Sequence, residues 1–216
     1  VTKTQSIPKL AHTYKTYTTR ATTSAAGEIV TKCSVCGTVK STQTIARISS
    51  VKLSGTSYIY NGKTKTPSVT VKDSKGKTLV KNTDYTVSYA SGRKYVGKYA
   101  VKVTFKGKYS GTKTLYFTIK PKSTSISSLT AKSKGFTVKW YKRTTQTTGY
   151  QVQYSTSIKF TSPKTVTISK TGTTSKTISK LKAKKKYYVR VRTYKTVNGT
   201  KYYSSWSKAR YVTTKS

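Results

Sequence analysis

The chain has 216 residues, with 44 lysines and arginines against three acids, Glu28, Asp73 and Asp84, and a single histidine, for a formal charge of +41. An excess of this size excludes a general network of internal ion pairs and draws the protein to polyanions in a salt-dependent way. No apolar run approaches the roughly 20 residues of a membrane-spanning helix. Three scattered carboxylates and one histidine offer no paired acid and base, so an enzyme is not expected.

The apolar load falls mainly on Val, Ile and Tyr, with 19 tyrosines, 4 phenylalanines and no methionine. Such residues suit pleated, half-buried surfaces, and they predict an all-β protein. The length suits one large domain or two to three small ones.

In chain order, the opening VTKTQSIPKLAH resembles VKSTQTIARISS beginning at Val39, with Gln5 matching Gln43 and Ile7 matching Ile45. This predicts a start inside a truncated repeat of a larger multidomain protein. Residues 1–48 are expected to form a short irregular unit around KCSVCG, which holds Cys33 and Cys36, with His12 upstream. The motif resembles a zinc-ribbon knuckle, in which glycine lets backbone amides approach the sulfurs. A structural zinc site takes four ligands and only three candidates are present, so two readings stay open. One is a relict or oxidised pair and no cofactor; the other is zinc held incompletely or with an outside ligand. Thiol redox catalysis would need a strand running into a helix at the motif, and no helical period follows.

From 49 to 121 the alternation becomes regular. Ser57 to Tyr60 leads into Asn61-Gly62, a strong hairpin signal, and PSVTVKD leads into a turn at Asp73-Ser74-Lys75-Gly76. YTVSYAS, KYAVKVTF and TLYFTI alternate as half-buried strands do. The run from Tyr60 to Gly62, Pro67 to Val71, Asp84 to Tyr89, Val96 to Tyr99 and Gly107 to Thr112 resembles the Ig-like modules of secreted and surface proteins from gut-dwelling Gram-positive anaerobes. That resemblance implies a β-sandwich over 49–121 and a secreted or cell-surface location.

From 122 to 216 the strands carry Phe136, Val138 and Trp140 on one face, then Tyr150, Val152 and Tyr154, with a second Asn-Gly turn at Asn198-Gly199. Together with Leu181, Tyr187, Val189 and Val191, they resemble a fibronectin type III domain. The resemblance implies a second sandwich after the Ig-like one, in which Tyr187 packs inward and its hydroxyl bonds back to the chain.

LKAKKKYYVRVRTY concentrates the functional question. Period-two alternation puts Tyr187, Val189 and Val191 on the core face and Tyr188, Arg190, Arg192 and Tyr194 on the outer one, with Lys184, Lys185 and Lys186 on the preceding turn. These seven are the candidate binding surface. Charge and module type together predict non-catalytic binding or spacer modules that attach to anionic wall polymer such as teichoic acid, or to host glycan. The alternative is a released, irisin-like effector engaging a host receptor through the Tyr/Arg stripe. Nucleic acid is expected to bind non-specifically, because a dedicated site gathers its charge on one face.

Overall fold

A computed structural model describes residues 11–216, and every regular element among them is a strand. The pairing of the repeat at Gln5 and Ile7 lies outside the described residues.

The segment expected to be irregular is a regular meander. Strands β1 (Tyr14–Thr19), β2 (Gly27–Cys33) and β3 (Val39–Ile45) form an antiparallel sheet in that order. Every residue of β1 is exposed, so this sheet buries little except at its ends, where Ala21 and Ile45 enter a core. That core is completed by Ile48, Val71, Leu79, Tyr85, Val103, Phe105 and Tyr109.

Six strands follow: β4 (Ile48–Leu53), β5 (Ser57–Ile59), β6 (Val69–Asp73), β7 (Tyr85–Tyr89), β8 (Gly97–Phe105) and β9 (Thr112–Lys120). They form a two-stranded sheet β4-β6 and a four-stranded sheet β5-β9-β8-β7. Asn61-Gly62 does not close the predicted hairpin, because β5 pairs parallel with β9 and not with β6. Instead Asn61 Oδ1 accepts bonds from the Lys63 amide at 3.1 Å and Lys65 Nζ at 2.8 Å, turning the chain locally. The Asp73 turn does form: the buried carboxylate accepts from the amides of Lys75 and Lys77, each at 2.9 Å, and Gly76 takes the positive φ of 84° that the turn needs.

The last eight strands are β10 (Ile126–Lys132), β11 (Gly135–Trp140), β12 (Gly149–Ser155), β13 (Lys164–Ile168), β14 (Ser175–Ile178), β15 (Lys186–Val197), β16 (Thr200–Tyr203) and β17 (Arg210–Thr213). One sheet runs β10-β11-β14; the other runs β13-β12-β15-β16, with β17 also on β15. Between them lies a core of Ile126, Phe136, Val138, Trp140, Tyr150, Val152, Tyr154, Ile178, Tyr187, Val189, Val191 and Val212. The faces predicted for β11, β12 and β15 are thus the ones buried. Asn198 and Gly199 both hold positive φ and close β15 onto β16 as a tight turn.

Contacts divide the chain into two compact units. Among the described residues, one comprises 11–54 with Pro67–Tyr89 and Ala100–Leu115; the other comprises Gly55–Thr66, Ala90–Tyr99 and Tyr116–Ser216. Ile45 and Ile48, before position 49, share their core with Val71, Tyr85, Val103 and Phe105 after it.

Candidate functional site

The long strand β15 organises the C-terminal module. Tyr187 is buried, and its hydroxyl accepts a bond from the Lys182 amide at 3.3 Å. Leu181 packs on the same core, so the chain turns the corner between sheets on these two side chains.

The outer face of β15 is less open than alternation implied. Arg192 Nε and Nη2 donate to Gln151 Oε1 at 2.9 and 2.7 Å, and Gln151 Nε2 donates to Thr167 Oγ1 at 3.1 Å. One register step along, Arg190 Nε donates to Gln153 Oε1 at 2.8 Å, and Gln153 Nε2 donates to Thr165 Oγ1 at 3.0 Å. Two parallel rows, threonine to glutamine to arginine, therefore cross β13, β12 and β15. Each row ends on aromatic faces: Arg192 lies over Tyr203 at 3.9 Å and Trp206 at 4.2 Å, and Arg190 over Phe160 at 3.9 Å and Trp206 at 4.8 Å. Burial lowers the pKa of both guanidinium groups from the ordinary arginine value.

Tyr194 corrects the sequence reading more sharply. It shares the parity of the arginines yet is only 2% exposed. Its register partner is Gly149, where a built Cβ would stand 2.0 Å from the Ile168 carbonyl oxygen and 3.0 Å from the Tyr194 ring, so only glycine leaves room for both the neighbouring strand and the ring. Tyr188 is half-buried and faces Tyr211 across the ladder. Of the seven candidate residues, only Lys184, Lys185 and Lys186 are exposed.

Those three lysines belong to a larger basic pole. The Leu181 amide donates to the Lys134 carbonyl at 2.8 Å, Lys134 to Lys215 at 3.1 Å, and Lys215 to Lys132 at 2.9 Å. The buried Thr214 hydroxyl donates to the Lys182 carbonyl at 2.6 Å and accepts from the Lys185 amide at 3.0 Å. These bonds gather turns whose side chains, Lys132, Lys134, Lys182, Lys184, Lys185 and Lys215, are all exposed. No carboxylate side chain occurs anywhere from 122 to 216. Beside the pole lies a cavity of about 400 Å³ lined by Tyr154, Ser155, Thr161, Lys164, Lys180, Lys182 and Tyr187 among others. Burial, and then the neighbouring Tyr187, raise the Tyr154 pKa above the usual phenol value, which keeps it a neutral hydroxyl at the cavity wall.

Residues 120–210 match the family model of the fibronectin type III domain. The C-terminal module is a fibronectin type III domain. Among solved structures, the chain is similar to the crystal structure of chicken CNTN1 FN1-FN3 domains, at 19% identity and a TM-score of 0.41, over 88% of this chain and 78% of that one. A search of curated proteins finds no match. Fibronectin type III domains are in general non-catalytic binding or spacer modules of extracellular proteins. Among the described residues no helix is long and apolar enough to cross a membrane.

The sequence signal for the arginine rows was present but unread. Gln151-x-Gln153 and Arg190-x-Arg192 have the same period of two, and antiparallel pairing places Gln151 opposite Arg192 and Gln153 opposite Arg190. Ser204 and Ser207 flank Trp206 and accept from the amides of Thr193 and Val191, at 3.1 and 3.0 Å, finishing the edge of β15 that β16 leaves off.

At the N-terminal sheet, the candidate metal ligands do converge. One donor atom from each of His12, Cys33 and Cys36 lies within 4.8 Å of the others, and Cys36 Sγ is 3.2 Å from His12 Nδ1. Cys33 is buried and Cys36 exposed. The backbone amides of Cys36 and Val35, followed by the His12 side chain, lower the Cys33 thiol to about 6 against the raising effect of burial.

Proposed function

We propose that the protein is a non-catalytic attachment element of a secreted or cell-surface bacterial protein, holding anionic polymer through the lysine pole of its fibronectin type III domain. The supporting observation is the pole itself, with lysine-bearing turns drawn together around Thr214 in a domain that has no acidic side chain. Elsewhere two of the three acids are committed locally: Asp73 to the amides of Lys75 and Lys77, and Asp84 Oδ2 to the Val80 amide at 2.7 Å. The cavity beside the pole, with Lys164, Lys180 and Lys182 at its walls, suits one charged unit of a longer chain. Wall teichoic acid and sulfated or sialylated host glycan share this chemistry.

A receptor-binding effector draws less support. Arg190 and Arg192, its best anchors, are engaged by Gln153, Gln151 and the aromatic stack, and Tyr194 is buried.

The test compares two triple variants with equal loss of charge, Lys184/Lys185/Lys186→Gln at the pole and Lys98/Lys102/Lys113→Gln on β8 and β9. Affinity for immobilised teichoic acid, heparin and duplex DNA is read against salt. The pole variant is expected to lose about 2 to 3 units of slope in log K against log salt, on the counterion-release scale for phosphate chains, and the control clearly less. Equal losses sink the pole assignment, and binding indifferent to salt sinks the electrostatic reading altogether. A preference for teichoic acid or heparin over DNA separates polymer attachment from non-specific nucleic-acid binding.

A further inference from the structure

The Cys33–Cys36 turn is built in a way that the attachment function does not use. The Cys33 amide donates to the Thr38 carbonyl at 2.9 Å and the Gly37 amide to the Cys33 carbonyl at 3.1 Å, with Gly37 at a φ of 75° that few other residues accept. This closes the β2–β3 connection so that both sulfurs face the same side as His12, which stands just before β1. Cys36 Sγ also lies 3.1 Å from Thr38 Oγ1, and the Ser34 amide donates to the Thr13 carbonyl at 2.9 Å, pinning the residue next to His12 to the turn.

The donor set matches one class of ligand. In a tetrahedral zinc site, metal–sulfur bonds of about 2.3 Å and metal–nitrogen bonds of about 2.0 Å place the donors roughly 3.3 to 3.8 Å apart. The three donor atoms here lie within 4.8 Å of one another, and the sulfur–nitrogen separation is already 3.2 Å, so small side-chain rotations suffice. Hard cations such as calcium or magnesium would want oxygen ligands instead.

We propose that His12, Cys33 and Cys36 bind one zinc ion, with water in the fourth position on the solvent side where His12 and Cys36 are exposed. The ion would fasten the approach to β1 onto the turn after β2. A sheet whose first strand buries no side chain would then gain a cross-link that replaces core. A ligand that binds only the folded state stabilises it by mass action, so the effect should appear first in β1.

The single histidine makes a test possible without any variant. In the reduced, tag-free full chain, zinc should shift the one imidazole signal in the proton NMR spectrum and slow amide exchange in β1. Cobalt(II) should bind one per chain, with thiolate charge-transfer absorption and the intense ligand-field bands of a tetrahedral site, and zinc should displace it. Cys33→Ser or Cys36→Ser should abolish the charge-transfer band, and His12→Gln should weaken binding by at least about tenfold, the scale on which even outer-shell changes act. The proposal is overturned if the imidazole signal is indifferent to zinc, if cobalt binds without thiolate absorption, or if His12→Gln leaves affinity and band positions unchanged. None of these readouts depends on polyanion binding, so either proposal can fail alone.

Discussion

The N-terminal sheet and the fibronectin type III domain are both antiparallel β, yet they hold together by different means. In β1–β3 the side chains stay largely in water and the strands meet through backbone bonds and small contacts such as Lys32 over Tyr17 and Lys40 over Tyr14. In the fibronectin type III domain two sheets close over twelve buried side chains, and even the outer face is laced by the arginine rows. Where apolar area is plentiful, burial fixes the register; where it is scarce, a local clip must do so.

The largest expected effect is in the thick core. Phe136→Ala removes a fully buried ring that meets Tyr154 and Tyr187, and it should cost about 3 to 5 kcal/mol in urea unfolding. Val39→Ala on β3, at a side chain 55% exposed, should stay within about 0.5 kcal/mol. Similar costs at the two sites would break the contrast.

Next comes the outer face. Arg192→Lys keeps the charge but loses the two-pronged bond to Gln151 and the flat stack on Tyr203 and Trp206. A loss of about 1 to 2 kcal/mol is expected, little better than Arg192→Ala, because the planar fork and not the charge makes these contacts. Recovery of wild-type stability in the lysine variant would show that charge alone suffices.

The smallest effect is with pH. Burial raises the phenol pKa values of Tyr85, Tyr99, Tyr109 and Tyr154. A phenol raised in the folded state contributes stability that is complete below its unfolded value near pH 10 and is lost as pH rises through the folded value. The contribution of these tyrosines to stability should therefore hold to about pH 10 and fall above it, and Tyr154→Phe should blunt that fall. An alkaline midpoint unmoved by Tyr154→Phe would remove Tyr154 from the account.

The fold was legible wherever one face of a strand is buried, since period two then has a physical consequence: Val138, Val152, Tyr187 and Val189 sit where alternation put them. It was misread at Asn61-Gly62, where a strong local turn signal was overridden by the parallel pairing of β5 with β9. It was also misread in β1–β3, whose regular ladders rest on backbone bonds that leave little trace in apolar pattern. For the candidate site, parity correctly sent Arg190, Arg192 and Tyr194 to the outer face. Parity says nothing of what lies across the ladder, and the glutamines, Trp206 and Gly149 decided how much of that face is free.

The lysine pole has a consequence for release. A gripping surface that includes histidines or paired carboxylates changes charge between about pH 5 and 8 and lets go with acidity. This one is made of lysine, in a domain without a carboxylate side chain or a histidine, so it carries no such trigger. Once seated on a polyanion, it would be freed by salt, a competing polyanion, or cutting of the polymer it holds.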